Sequence, residues 1–184
     1  AIRPRADWGS ESPPNGTLRI IDDDLLIVHH TDAPEGAYQP SEVPTLIQAI
    51  FNFQTSGDLA WPDIGFNFIV DEFGTIWEGR QGSIDAPIAC ETEGGDPGHT
   101  QHVAFLGQFS AAPPTPLATE AMVSLLAWLA NRDGVATQPG DLTNFISEGS
   151  DKFPAGEKVT VRTIAGHREI ADVGCPGDPV MNDV

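Results

Sequence analysis

Two stretches far apart in the chain constrain its fold more than anything else in the sequence. Leu25-Leu26-Ile27-Val28 is a short, continuous apolar run with β-branched members, the pattern of a buried strand, and it ends in His29-His30-Thr31. The segment Gly166 to Gly177 carries His167 and Cys175, too far apart for adjacent turns of one helix but suited to the two ends of a loop. An imidazole and a thiolate closing on another imidazole give zinc three ligands and leave the fourth tetrahedral position for water. Structural zinc sites are usually closed by four protein ligands, so a three-ligand set points to a hydrolase.

The rest of the chain reads as strands alternating with helices. Pro40-Ser41-Glu42 opens a helix with Ser41 as the expected N-cap, and Val43, Leu46, Ile47, Ile50, Phe51 and Gln54 mark its buried stripe at helical spacing. Phe66–Val70 reads as a second strand, Asp71-Glu72-Phe73-Gly74 as a hairpin turn, and Thr75–Trp77 as a third strand closed by Glu78-Gly79-Arg80. Residues 81–101 are loop-like and acidic, and His102–Phe109 reads as a fourth, buried strand. Leu117–Arg132 is the clearest helix, capped by Thr115 or Thr119 and stopped by Gly134. Residues 135–158, rich in Gly, Pro, Ser and Asp, are too long for an idle connection and are expected to form an ordered excursion near the site. Val159–Ala165 is the last strand and delivers His167. The lead-in Arg5-Ala6-Asp7-Trp8-Gly9 offers a Trp to anchor it to the body. The expected fold class is therefore α/β, a central mixed sheet flanked by helices.

Composition narrows the partners. At 184 residues, 40% hydrophobic and 20% charged, the chain suits one soluble domain spanning residues 1–184, expected to be a monomer. No apolar run approaches the roughly 18 residues of a membrane span. Ala1-Ile2-Arg3-Pro4-Arg5 has no apolar signal-peptide core, so an exported protein would be present in its mature form. A formal charge of −18 argues against nucleic acid and anionic membranes as partners. It is read either as adaptation to salt or as ordinary scatter in surface charge. Cys90 and Cys175 could form one disulfide in an exported protein, but a paired Cys175 could not ligate zinc, and the zinc reading is preferred.

Four runs taken together resemble the type 2 N-acetylmuramoyl-L-alanine amidases and the peptidoglycan recognition proteins. They are Leu26-Ile27-Val28-His29-His30-Thr31, Asp63 to Asp71, Phe73 to Arg80, and Gly166-His167-Arg168 through Cys175-Pro176-Gly177. The Arg5 to Gly9 lead-in and Ser147-Glu148-Gly149-Ser150 look like the secreted actinobacterial branch. The resemblance implies the amidase/peptidoglycan-recognition fold with a zinc site in a surface groove. The implied activity is zinc-dependent cleavage of the amide between the lactyl group of N-acetylmuramic acid and L-alanine in extracellular, cell-wall peptidoglycan. It implies His29, His167 and Cys175 as zinc ligands, with His30 lining the groove. Thr31, Trp61, Phe66, Arg80 and Thr92 would join His30 in contacting a muropeptide.

The chain also departs from that pattern. Active members usually carry Tyr at the position of Phe66, and many carry Lys or Thr at that of Val173. Where members often show His-x-Gly-Gly-x-Asn, this chain aligns Thr92-Glu93-Gly94-Gly95-Asp96-Pro97. Either the acid–base work has moved, with Glu91, Glu93, His99 and His102 as candidates, or the protein binds peptidoglycan and hydrolyses it poorly. The bland reading makes these glutamates solvated loop charges and His102 a strand residue. Glu169 is read as an orienting partner for an imidazole or as exposed.

Overall fold

The computed structural model describes residues 1–9, 11–90 and 98–182. Its strands are β1 (Ile2–Arg3), β2 (Leu25–His30), β3 (Phe68–Val70), β4 (Ile76–Glu78), β5 (Thr100–Phe105), β6 (Leu142–Ile146), β7 (Lys158–Arg162) and β8 (Ile164–Gly166). Its helices are α1 (Ala6–Gly9), α2 (Val43–Gln54), α3 (Pro116–Asp133) and α4 (Asp178–Met181), with 3₁₀ turns at Pro40–Glu42 and His167–Glu169. Six strands form one sheet in the order β1-β4-β3-β5-β2-β8, and β6 pairs with β7 separately. Only the β3–β4 pairing in the large sheet is antiparallel, so the sheet is mixed as expected.

β2 lies between β5 and β8, and all six of its residues are buried. Successive side chains of a strand point to opposite faces, and β2 uses both. Leu26 and Val28 pack with Phe68, Val103 and Phe105 under Met122, Leu125 and Leu129 of α3. Leu25 and Ile27 face the other way, against Phe145, Val159 and Val161 of the β6–β7 hairpin. Farther along that second face, Val43, Ile47 and Phe51 of α2 meet Ile69, Trp77 and Leu106. The lead-in is anchored as its Trp suggested: Trp8 Nε1 donates to the Glu78 carbonyl at 2.6 Å. Arg5 pairs with the buried Asp63 at 2.8 Å.

Several boundaries differ from the sequence reading. The α2 helix is preceded by a 3₁₀ turn that starts after Gln39, whose N–H donates to Glu42 Oε2 at 2.6 Å, so Ser41 is not the cap. Thr115, not Thr119, caps α3, its Oγ1 accepting the Ala118 N–H at 3.1 Å, and Gly134 ends the helix in the left-handed region at φ 80°. β3 starts two residues after Phe66, although Phe66 and Asn67 still accept the N–H groups of Arg80 and Gly79. β5 begins at Thr100 and stops at Phe105, because Gly107 turns the chain at φ 136°. The excursion of residues 135–158 contains β6, and the expected last strand divides into β7 and β8 at Thr163. Thr163 leaves the ladder to donate its N–H to Asp141 and its hydroxyl to the Ala136 carbonyl.

Candidate metal centre in a surface groove

Parallel pairing assembles the site. In the β2–β8 register Val28 lies opposite Gly166, so the residues that follow, His29 and His167, emerge side by side at the C-terminal ends of their strands. Their ring centroids are 4.3 Å apart. The Arg168 N–H donates to the Cys175 carbonyl at 2.9 Å, closing the loop and returning Cys175 to the same point. Cys175 Sγ lies 3.7 Å from His29 Nδ1 and accepts the His30 N–H at 3.3 Å. One donor atom each from His29, His167 and Cys175 lies within 4.8 Å of the others. A tetrahedral ion with bonds of about 2.0–2.3 Å places its donors roughly 3.3–3.8 Å apart, so a small inward adjustment of this set would hold one. Cys90 and Cys175 are not joined in a disulfide, so the Cys175 sulfur can take part in ligation.

The electrostatics favour ligation. Burial, reinforced by the facing His167 and His102 imidazoles, holds His29 well below its ordinary value. Burial lowers His167 to about 4, against an opposing pull from Asp151. Both imidazoles are therefore neutral at neutral pH, the form that binds a metal. The His30 N–H on Sγ would favour a thiolate at Cys175.

A groove of about 430 Å³ opens over this cluster. Of the residues expected to contact a ligand, His30, Thr31, Trp61 and Phe66 line it. His30 turns its Nδ1 away from the cluster, to accept the Phe109 N–H at 3.2 Å. Phe66 sets its ring edge against His29 at 5.5 Å, and Val173 also borders the groove. Arg80 does not line the groove: it is 2% exposed and donates to the Ile64 carbonyl at 3.2 Å, because after β4 its N–H bonds to the Phe66 carbonyl and its side chain turns inward. Thr92, Glu91 and Glu93 lie outside the described residues. His99 is exposed at the opposite, N-terminal end of β5, with Nδ1 3.3 Å from the Asp22 carbonyl, and does not line the groove. His102 does line it, but its contact is with His29: the two imidazoles meet at 2.8 Å between His29 Nε2 and His102 Nδ1. Glu169 orients backbone rather than an imidazole, accepting the Gly166 N–H at 2.9 Å and pairing with Arg162.

Asp32, Gln54 and Ser110 also border the groove and were missed by the sequence reading. Gln54 carried a signal, its place on the buried stripe of α2. It accepts the Gly65 N–H at 2.8 Å and so shapes the Trp61–Gly65 wall. Asp32 and Ser110 sit in loops without periodicity and carried none.

A family model described as N-acetylmuramoyl-L-alanine amidase matches residues 19–179. The chain belongs to that amidase family. Among its relatives, peptidoglycan-recognition protein SC2 of Drosophila simulans is 24% identical over 98% of this chain and 82% of its own length. The N-acetylmuramoyl-L-alanine amidase of Sus scrofa is 27% identical over 99% of this chain, a match that spans 26% of the pig protein. In fold, the chain superposes on peptidoglycan recognition protein-LE in complex with tracheal cytotoxin with a TM-score of 0.76, at 20% identity over 100% of this chain and 91% of the other. The family thus contains both recognition proteins and amidases, and the mixed sheet flanked by helices is its fold.

Proposed function

We propose that this protein is a zinc-dependent amidase that cleaves the bond between the lactyl group of N-acetylmuramic acid and L-alanine in peptidoglycan, acting outside the cytoplasm. The carrying observation is the clustering of His29, His167 and Cys175 donors within 4.8 Å in the groove. His29, His167 and Cys175 would hold the ion. Bound there, zinc supplies Lewis acidity, polarising an amide carbonyl and making water acidic enough to attack at neutral pH. Water adds across the amide, giving the lactyl carboxylate and the free amino group of L-alanine. His30, Thr31, Trp61 and Phe66 would form the walls that orient the muropeptide. Membership of the amidase family supports the reaction class, and the fold shared with a protein solved in complex with a monomeric peptidoglycan supports the substrate class.

A second reading, recognition with little turnover, is favoured by one specific observation. The ring beside His29 is that of Phe66, which offers no hydroxyl to a developing oxyanion, and Val173 offers no donor either. Mass spectrometry of a soluble muramyl-pentapeptide incubated with the protein separates the two. Free peptide beginning with L-alanine, lost on adding a zinc chelator and recovered with zinc, is the expected result. Intact substrate, in protein carrying one zinc per chain, would sink the amidase reading in favour of recognition.

A further inference from the structure

Two buried imidazoles are left over once the three candidate ligands are assigned: His30, whose Nδ1 accepts the Phe109 N–H, and His102. His102 lies on β5, where it pairs with Ile27, while His29 pairs with Ala104. The two histidines therefore share one face of the sheet, a single pleat apart. Their rings stack at 4.9 Å and 28°. His102 is 2% exposed, and its Nε2 has no hydrogen-bond partner among the described residues. An apolar side chain would fill this position at less cost, so the ring needs a reason, and its Nδ1 supplies one.

His29 turns Nδ1 towards Cys175 Sγ and Nε2 towards His102 Nδ1. A histidine that ligates through Nδ1 must carry its proton on Nε2, and the group accepting that proton fixes both tautomer and ring orientation. His102 is itself held firmly. Its N–H donates to Asn67 Oδ1 at 2.8 Å, and its carbonyl accepts the Asn67 N–H at 2.7 Å. Asn67 is pinned in turn through Nδ2 to Ser83 and the Ile88 carbonyl, and its Oδ1 also accepts from the Cys90 thiol.

We propose that His102 is a positioning residue of the metal centre: by accepting the Nε2–H of His29 it holds Nδ1 in place beside Cys175 and His167. The inference rests on the zinc reading above and concerns affinity for the ion rather than the identity of the substrate.

The test measures zinc dissociation constants of the full 184-residue chain by competition with a chromogenic chelator. The wild type is compared with His102→Leu, His102→Asn and His102→Gln. Removing the acceptor in His102→Leu is expected to weaken zinc roughly 10–100-fold and to shift the visible bands of the cobalt-substituted protein. His102→Asn, whose oxygen falls near the position of Nδ1, recovers most of the affinity. His102→Gln, whose polar atoms reach beyond that position, recovers less. A merely structural role would lower the melting temperature of the metal-free variants and leave the zinc constant alone. A folded His102→Leu protein with wild-type affinity overturns the proposal. Should the leucine variant not fold, equal affinities for the asparagine and glutamine variants overturn it. Wild-type protein that binds zinc tightly but cleaves no muropeptide defeats the amidase reading while leaving this comparison intact. Wild-type protein that binds no zinc defeats both.

Discussion

On the proposed amidase reading, Phe66 is the residue whose chemistry matters most. Its ring sits 5.5 Å from that of His29, edge-on, at the wall of the groove. A phenol there would direct its hydroxyl towards the space where negative charge develops as water adds to the amide. Losing one such donor costs about 10²–10³ in turnover. Phe66→Tyr is therefore expected to raise muropeptide hydrolysis by a factor on the order of 10²–10³ while leaving zinc affinity unchanged, as read by product release under saturating substrate. Unchanged turnover would mean that another group of this chain already serves the oxyanion or that hydrolysis has been lost. At this scale His167 and Cys175 stood out as a possible metal-binding pair, while the choice of His29 over His30 came from the family resemblance and not from the residues themselves. The burial of Arg80 was not legible. A charged residue closing a hairpin reads as a side chain facing the groove, and only the fold shows the guanidinium buried and bonded to the Ile64 carbonyl.

Elements were legible in proportion to how fully they are buried. β2 and α3 show continuous or periodic apolar patterns and were located to within two residues. β6 was missed because it exposes most of its side chains: only Phe145 among its five residues is buried, too little for an alternation to register. β7 and β8 fused in the reading because their residues run on without a turn signal, and the break depends on what Thr163 bonds across the chain. The α3 cap was open between two threonines, and geometry selects Thr115, which accepts from Ala118 and also donates to the Glu72 carbonyl. Thr115→Ala therefore removes the cap and a tie to the β3–β4 turn together. A loss of about 1–2 kcal/mol is expected, measurable as a lower urea midpoint with an unchanged slope. A midpoint equal to wild type would show that solvent replaces both bonds at no cost.

Across the whole molecule, the sequence indicated where the chain closes on itself, since a strand ending in His29 and another delivering His167 must run side by side to share an ion. It could not show what lies beneath them, because His102 becomes the neighbour of His29 only through the β2–β5 register. Charge is also a property at this scale. Nine basic residues stand against 27 acidic ones, a formal net charge of −18. Among the described residues only Asp23, Asp63, Asp71 and Glu78 of the acidic set are buried, so most of this charge lies at or near the surface and repels itself. Unfolding spreads the charges apart, so the repulsion weighs on the folded state more than on the unfolded one. Salt shortens the screening length from about 10 Å at 0.1 M to about 3 Å at 1 M, and removes much of that penalty. The melting temperature is therefore expected to rise between low salt and 1 M sodium chloride. Relief of about 1 kcal/mol would correspond to about 2–4 °C for a chain of this size. The rise should vanish near the isoelectric point of about 4.3, where the net charge is already neutralised. Scanning calorimetry at both pH values separates this from general salting-out, which would raise the transition equally in each. An equal rise at both would mean that the acidic surface contributes nothing to the salt response.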